Sequence, residues 1–130
     1  MKICIVDDSI AFRKGLKILL TEKLNFQVIG EAGNGIEALR LPNLHQADIV
    51  ILDIQMNEMD GFETAKRLLW LKPDLKIIAL SMHEELVFLT KLVQSGFKAY
   101  VPKQDYYIKL PLAIQATMNG KTFFPGDVKF

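Results

Sequence analysis

Five side chains that could act together on an anionic group stand directly behind short apolar runs. Asp7 and Asp8 follow Lys2–Val6, Asp53 follows Asp48–Leu52, Ser81 follows Lys76–Leu80, and Lys103 lies just past Ala99–Val101. Three carboxylates gathered in one place repel one another and raise each other's pKa unless a cation compensates them. Oxygen-only ligands with open coordination positions favour Mg²⁺, which keeps several waters and completes its shell with a phosphate. A lysine and a hydroxyl opposite such an ion would hold the remaining oxygens of a phosphoryl group. Phosphoryl transfer mainly needs in-line placement and charge neutralisation, and this set supplies both. Taken one at a time, each residue has a plainer explanation. Asp8 or Ser9 could cap a helix, Asp53 could sit in a turn, Ser81 could cap the next helix, and Lys103 could be a solvated loop lysine. The chemical reading rests on their joint position at strand ends.

The elements that must position them are legible as an alternation. Lys2–Val6, Phe26–Gly30, Asp48–Leu52, Lys76–Leu80 and Ala99–Val101 are rich in Ile and Val, and most lack polar alternation. Strands of this kind are covered on both faces. Between them lie amphipathic segments. Phe12, Leu16, Leu19 and Leu20 share one helical face. Asn34 with Glu37 reads as a cap before a helix over Ile36–Leu41, which Pro42 should shorten or kink. Asp60 with Glu63 caps a helix over Phe62–Leu71, closed by Pro73. A helix over Glu84–Ser95 ends at Gly96, and a last one runs near Leu110–Asn119 with Gly120 behind it. Five β-α units with right-handed crossovers build a doubly wound parallel α/β sheet with helices on both faces. Ligands of such sheets bind outside the carboxyl ends of the strands, where strand order reverses. The strand-end residues are therefore the ones to weigh.

Composition narrows the alternatives. The 130 residues are 50% hydrophobic and 24% charged, with sixteen basic against fifteen acidic residues and a formal charge of +1. This is an ordinary one-domain composition without an electrostatic footprint for nucleic acid or an anionic membrane. Lys66–Arg67 is better read as a solvated helix face. The single cysteine, Cys4, lies in an apolar run and reads as a buried, inert thiol. No apolar stretch approaches the ~20 residues that span a bilayer, and the chain enters a strand pattern at once, without a signal peptide. A soluble, cytoplasmic protein is expected.

The stretches Ile5-Val6-Asp7-Asp8-Ser9, Leu52-Asp53-Ile54-Gln55-Met56-Asn57-Glu58-Met59-Asp60-Gly61, Ala79-Leu80-Ser81-Met82-His83 and Ala99-Tyr100-Val101-Pro102-Lys103 resemble the receiver domains of bacterial two-component response regulators. The resemblance spans essentially the whole chain, with the motifs in order. Leu80–His83 and the Gly120…Phe123–Val128 tail look most like the NarL/FixJ subgroup, whose members typically carry a helix-turn-helix DNA-binding domain after the receiver. The resemblance implies a flavodoxin-like (βα)5 three-layer sandwich with strand order 2-1-3-4-5. It makes residues 1–120 the receiver and 121–130 a tail or the start of a linker.

It also implies roles. Asp53 would be the phosphoacceptor. Asp8, Asp53 and the Gln55 backbone carbonyl would bind Mg²⁺ directly, and Asp7 would act through water. Lys103 and Ser81 would hold phosphoryl oxygens, and Tyr100 would be the switch aromatic. The donor would be a histidine kinase or phosphotransfer protein, with a homodimer possible on phosphorylation and DNA reached only through a further domain. Such a chain is a signalling phosphoacceptor that assists its own phosphorylation and dephosphorylation, not an enzyme in the usual sense.

Three positions depart from the family pattern. Asn57 replaces a common proline, Pro102 precedes Lys103 and could end the last strand early, and Pro111 falls where the fifth helix is usually uninterrupted. A late helix start with Pro111 in its first turn would avoid a kink. His83 could tune phosphoryl hydrolysis or be an exposed helix-start histidine. His45 has no ligand partner nearby in sequence, and Trp70 reads as packing. A haloacid-dehalogenase-type phosphatase would need an acidic residue where Gln55 stands. A flavin carrier would want a phosphate loop where Asp7-Asp8 would repel one. A receiver that is never phosphorylated fits poorly with the complete acidic set.

Overall fold

The computed structural model describes residues 1–56, 59–82 and 86–125. Five strands, β1 (Lys2–Val6), β2 (Gln27–Ala32), β3 (Ile49–Asp53), β4 (Lys76–Ser81) and β5 (Ala99–Pro102), alternate with five helices. The helices are α1 (Ile10–Ile18), α2 (Gly35–Leu39), α3 (Gly61–Leu71), α4 (Leu86–Gln94) and α5 (Tyr106–Met118). All neighbouring strands are parallel, in the order β2-β1-β3-β4-β5. This is the flavodoxin-like order, and its reversal lies between β1 and β3.

The side-chain period of two splits the central strands between two cores. Cys4, Val6, Val50, Leu52, Ile77 and Ala79 face one layer with Ala38, Phe62, Ala65, Leu68, Leu89 and Leu92. Ile3, Ile5, Ile49, Ile51, Ile78 and Leu80 face the other, with Leu16, Leu20, Leu110 and Ile114. Both faces of the sheet are thus dry, which is why the strand runs are continuously apolar. Burying each of the larger side chains contributes about 1.5–3 kcal/mol. Cys4 is buried among them, and that burial pushes its thiol up to about 11, so it is an inert core residue.

Several element ends differ from the sequence reading. β2 runs later than Phe26–Gly30 because Asp7 N–H donates to the Ala32 carbonyl at 3.0 Å, carrying the pairing to the end of β1. Beyond Ile18 the helix continues as a wide π-helical turn, Leu19–Lys23, which keeps Leu19 and Leu20 in the core. β5 does not end before Pro102. Tyr100 N–H points to the outer edge of the sheet, toward Phe123, so the nitrogen of Pro102, two residues on, faces the same way. A proline there removes no bond to β4.

α5 is the largest departure. It starts at Tyr106, so Pro111 is its sixth residue rather than part of its first turn. The missing N–H would have met the carbonyl of Tyr107, a residue 55% exposed, where water can replace it. Trp70 is a second correction. It is 87% exposed and packs against nothing in the core, because α3 turns Phe62, Ala65 and Leu68 inward and carries position 70 to the far side.

Capping follows the expected pattern. Ser9, Asn34 and Asp60 accept the N–H groups of Phe12, Glu37 and Glu63. Gly96, at φ +95, closes α4. His83 and Glu84, at the expected start of α4, and Asn57 lie outside the described residues.

Candidate phosphoryl site at the carboxyl edge of the sheet

β1 and β3 are adjacent, so their ends bring Asp7, Asp8 and Asp53 together. One carboxylate oxygen from each lies within 4.8 Å of the other two. Asp7 and Asp53 are buried and Asp8 is exposed, giving a cluster with a dry floor and one open side. The turns after the strands fix the buried pair. Ser9 N–H donates to Asp7 Oδ1 at 2.8 Å, and Gln55 N–H donates to Asp53 Oδ1 at 2.9 Å. The other oxygen of each faces Lys103, whose Nζ lies 2.7 Å from Asp7 Oδ2 and 3.2 Å from Asp53 Oδ2. Lys103 thus lies closer to Asp7 than to Asp53 and bridges the two buried carboxylates.

Electrostatics express the conflict. Burial raises the Asp53 carboxyl above its ordinary value. The Gln55 N–H and the Lys103 ammonium oppose that rise without cancelling it, and the Asp7 charge adds to it. For Lys103, burial pulls the ammonium down, but Asp7 and Asp53 outweigh it and hold the group above its ordinary value. One ammonium thus serves two buried carboxylates with a third at the rim. Three carboxylates against one ammonium leave the cluster net negative, and a divalent cation is the natural complement.

The remaining strand ends arrive in register. Asp53 pairs with Leu80, so Ser81 stands one step past it, and Ser81 pairs with Pro102, the residue before Lys103. Ser81 is buried. By the alternation along β4 and β5, Ser81 shares its sheet face with Ala79 and Tyr100. Tyr100 is itself 3% exposed, more deeply buried than a half-covered strand tyrosine.

Gly61 lets the chain close against this edge. A Cβ there would lie 2.4 Å from Ile54 Cα and 3.0 Å from the Asp53 carbonyl oxygen, so the start of α3 touches the end of β3 directly.

Two positioning residues escape sequence reasoning. Lys103 Nζ sits 4.6 Å from the centre of the Phe12 ring, which packs edge-on against Tyr106 at 5.1 Å. This cation–π contact holds the ammonium over the site. Arg13 donates to the Asp7 carbonyl, and its Nε lies 3.4 Å from Glu31 Oε1, tying the end of β1 to β2 through α1. The helical period marks Phe12 only as apolar, and nothing local distinguishes Arg13. Ser9 acts as the α1 cap. His45 lines a shallow cleft with Leu41, Leu44, Leu71 and Lys72, away from the acidic cluster. No helix among the described residues is long and apolar enough to cross a membrane.

Residues 3–115 match the family described as response regulator receiver domain. The chain is 38% identical over 100 residues to the uncharacterized transcriptional regulatory protein YhcZ of Bacillus subtilis, covering 77% of this chain and 47% of that one. Among solved structures it resembles a two-component response regulator of the LuxR family from Aurantimonas sp. SI85-9A1, at 28% identity and TM-score 0.89, covering 97% of this chain and 90% of that one. It also resembles the isolated REC domain of RcsB from Salmonella enterica serovar Typhimurium in the presence of phosphomimetic BeF3−. That match has 27% identity and TM-score 0.84 over 97% of this chain and 94% of the other. The chain spans between 47% and 60% of the length of the curated relatives it matches first. With the family match, the strand order and the acidic edge all in agreement, the chain belongs to the response regulator receiver domain family.

Proposed function

We propose that this receiver is activated by phosphorylation of Asp53, taken from a histidine kinase or phosphotransfer protein in the cytoplasm. One observation carries the reading. The Asp53 carboxylate ends β3 with one oxygen fixed by the Gln55 N–H at 2.9 Å and the other 3.2 Å from a lysine that also holds Asp7. Asp8, Asp53 and the Gln55 backbone carbonyl would hold Mg²⁺, with Asp7 acting through water; three carboxylates gathered around one ammonium suit a cation. When bound, the ion neutralises the oxygens of the incoming phosphoryl group.

This chain's own residues do the rest. The Gln55 N–H orients the Asp53 nucleophile, and Lys103 turns from a carboxylate bridge to a partner of the phosphoryl oxygens. Ser81 donates its hydroxyl to one of them. The added charge of about −1.5 to −2 draws Ser81 inward. Tyr100, on the same sheet face, then moves into the space vacated. The protein assists the gain and loss of its own phosphoryl group but converts no external substrate.

Residues 1–120 form the receiver and 121–130 its tail or the start of a linker. The output is transcriptional, through a helix-turn-helix domain that contacts DNA, as the similarity to YhcZ supports. Exposed Tyr107, Ile108 and Leu112 on α5 support a homodimer in the phosphorylated form.

Incubation with acetyl phosphate and Mg²⁺ will add the mass of one phosphoryl group, removable by hydroxylamine. Asp53→Asn or EDTA will abolish the gain. Undiminished labelling of Asp53→Asn sinks the assignment, and indifference to EDTA sinks the metal role.

A further inference from the structure

The chain beyond α5 turns back onto the sheet. Gly120, at φ +75, reverses its direction, and Lys121 N–H closes the helix end on the Ala116 carbonyl at 2.9 Å. Phe123 then pairs with β5 as a single parallel bridge opposite Ala99. Phe123 N–H donates to the Lys98 carbonyl, and Tyr100 N–H donates to the Phe123 carbonyl, both at 2.9 Å. Continuing this register would set Pro125 opposite Val101. The next two bonds would need the N–H of Pro125 and the N–H of Pro102, and proline has none. The two prolines stop the pairing after one bridge. The tail therefore covers the outer edge of β5 without becoming a permanent sixth strand.

What the tail covers is the switch tyrosine. Phe124 packs against the core layer that contains Tyr100. Phe123, Phe124 and Pro125 line a cleft of about 300 Å³ together with Tyr100, Pro102 and Lys109. The Tyr100 backbone is thus engaged by Phe123, and its side chain belongs to the layer against which Phe124 packs.

We propose that residues 121–125 are a short latch, docked while Phe124 packs against the layer that holds Tyr100 and released when phosphorylation of Asp53 draws Tyr100 along the sheet toward Ser81. The proposal rests on the phosphorylation reading above. A shift of Tyr100 along the sheet toward Ser81 weakens the packing under Phe124 and leaves one bridge and the packing of Phe123 on the other layer, a weaker hold on the segment. Coupling between two such sites is reciprocal, so undocking the latch also favours the occupied Asp53 site.

Beryllofluoride with Mg²⁺ serves as the probe, read by amide hydrogen exchange and backbone NMR shifts on the full chain. In the absence of the probe, the Tyr100 and Phe123 amides exchange slowly. Phe124→Ala speeds both at least tenfold, with the amides of β3 unchanged. Saturation with beryllofluoride does the same in the parent, and Phe124→Ala binds the probe several-fold more tightly. Asp53→Asn shows neither probe effect. If the probe shifts Asp53 and Lys103 while both amides keep their protection, or gain protection, the latch proposal is overturned and the phosphorylation reading stands. If the probe leaves Asp53 and Lys103 unshifted, the phosphorylation reading falls and the coupling falls with it.

Discussion

At the scale of single residues, the site is a contest among charges in a small volume. Asp53 is buried, and burial holds its carboxyl above the ordinary value of 3.8. A folded carboxyl that binds its proton more tightly than the unfolded chain's makes stability fall as pH rises from 3.8 through the raised value, with the full cost present above it. Asn removes the charge. Asp53→Asn will therefore unfold at higher urea than the parent at neutral pH without Mg²⁺, and the difference will shrink below the ordinary carboxylate range. Lys103 keeps its 2.7 Å partner Asp7 in that variant, so the ammonium is not orphaned. A parent as stable as Asp53→Asn at every pH would mean that Asp53 is compensated better than its surroundings indicate. The same imbalance is what a phosphoryl group and a cation would exploit.

At the scale of elements, two local features set the shape of the active edge and of the output face. Gly61 allows α3 to begin in contact with β3. A methyl group there meets backbone at 2.4 Å, which no side-chain rotation relieves. Gly61→Ala will cost about 1–3 kcal/mol, as overpacking does, and will slow acetyl-phosphate labelling because the Asp53–Ile54 backbone must shift. Urea titration and labelling rates on one sample test both. Pro111 acts in the opposite direction. A proline inside a helix costs about 3 kcal/mol relative to alanine, less the roughly 0.4–1 kcal/mol it removes from the unfolded chain's freedom. Pro111→Ala will therefore stabilise the protein by about 2 kcal/mol, read from the urea midpoint at unchanged slope. No gain would show that α5 has already adapted its backbone to the ring.

At the scale of the whole molecule, the fold works as a frame that holds like charges together until something arrives to neutralise them. Carboxylate repulsion exists only when β1 and β3 are paired, so a cation that relieves it binds the folded state alone. Mg²⁺ at a hundredfold its dissociation constant will add about 2.7 kcal/mol to stability, visible as a rise of several degrees in melting temperature. Asp8→Ala will blunt that rise and will itself melt higher than the parent without Mg²⁺. An undiminished Mg²⁺ effect in Asp8→Ala would exclude Asp8 from coordination.

How much of this was legible in the chain follows from the range of the forces involved. Strand and helix identity rests on periodicities of two and 3.6 and on caps three residues apart, all of which are local. β1 and the caps at Asn34 and Asp60 accordingly stand where the sequence alone placed them, and β3 and β4 within one residue of it. The parallel order then brings Asp7, Asp8, Asp53, Ser81 and Lys103 to one edge, because strand ends carry their next residues with them. What periodicity could not decide depended on contacts distant in sequence. Trp70 faces solvent because of the side of α3 that meets the sheet, and Pro111 sits within α5 because the carbonyl it leaves unpaired belongs to an exposed residue. Phe12 lies beneath Lys103, 91 positions away, only because α1 and the end of β5 flank the same edge. Phe123 returns to β5 because that edge still had an N–H and a carbonyl to satisfy. Such partners are chosen by the packing of the finished sheet, which no local window of the chain contains.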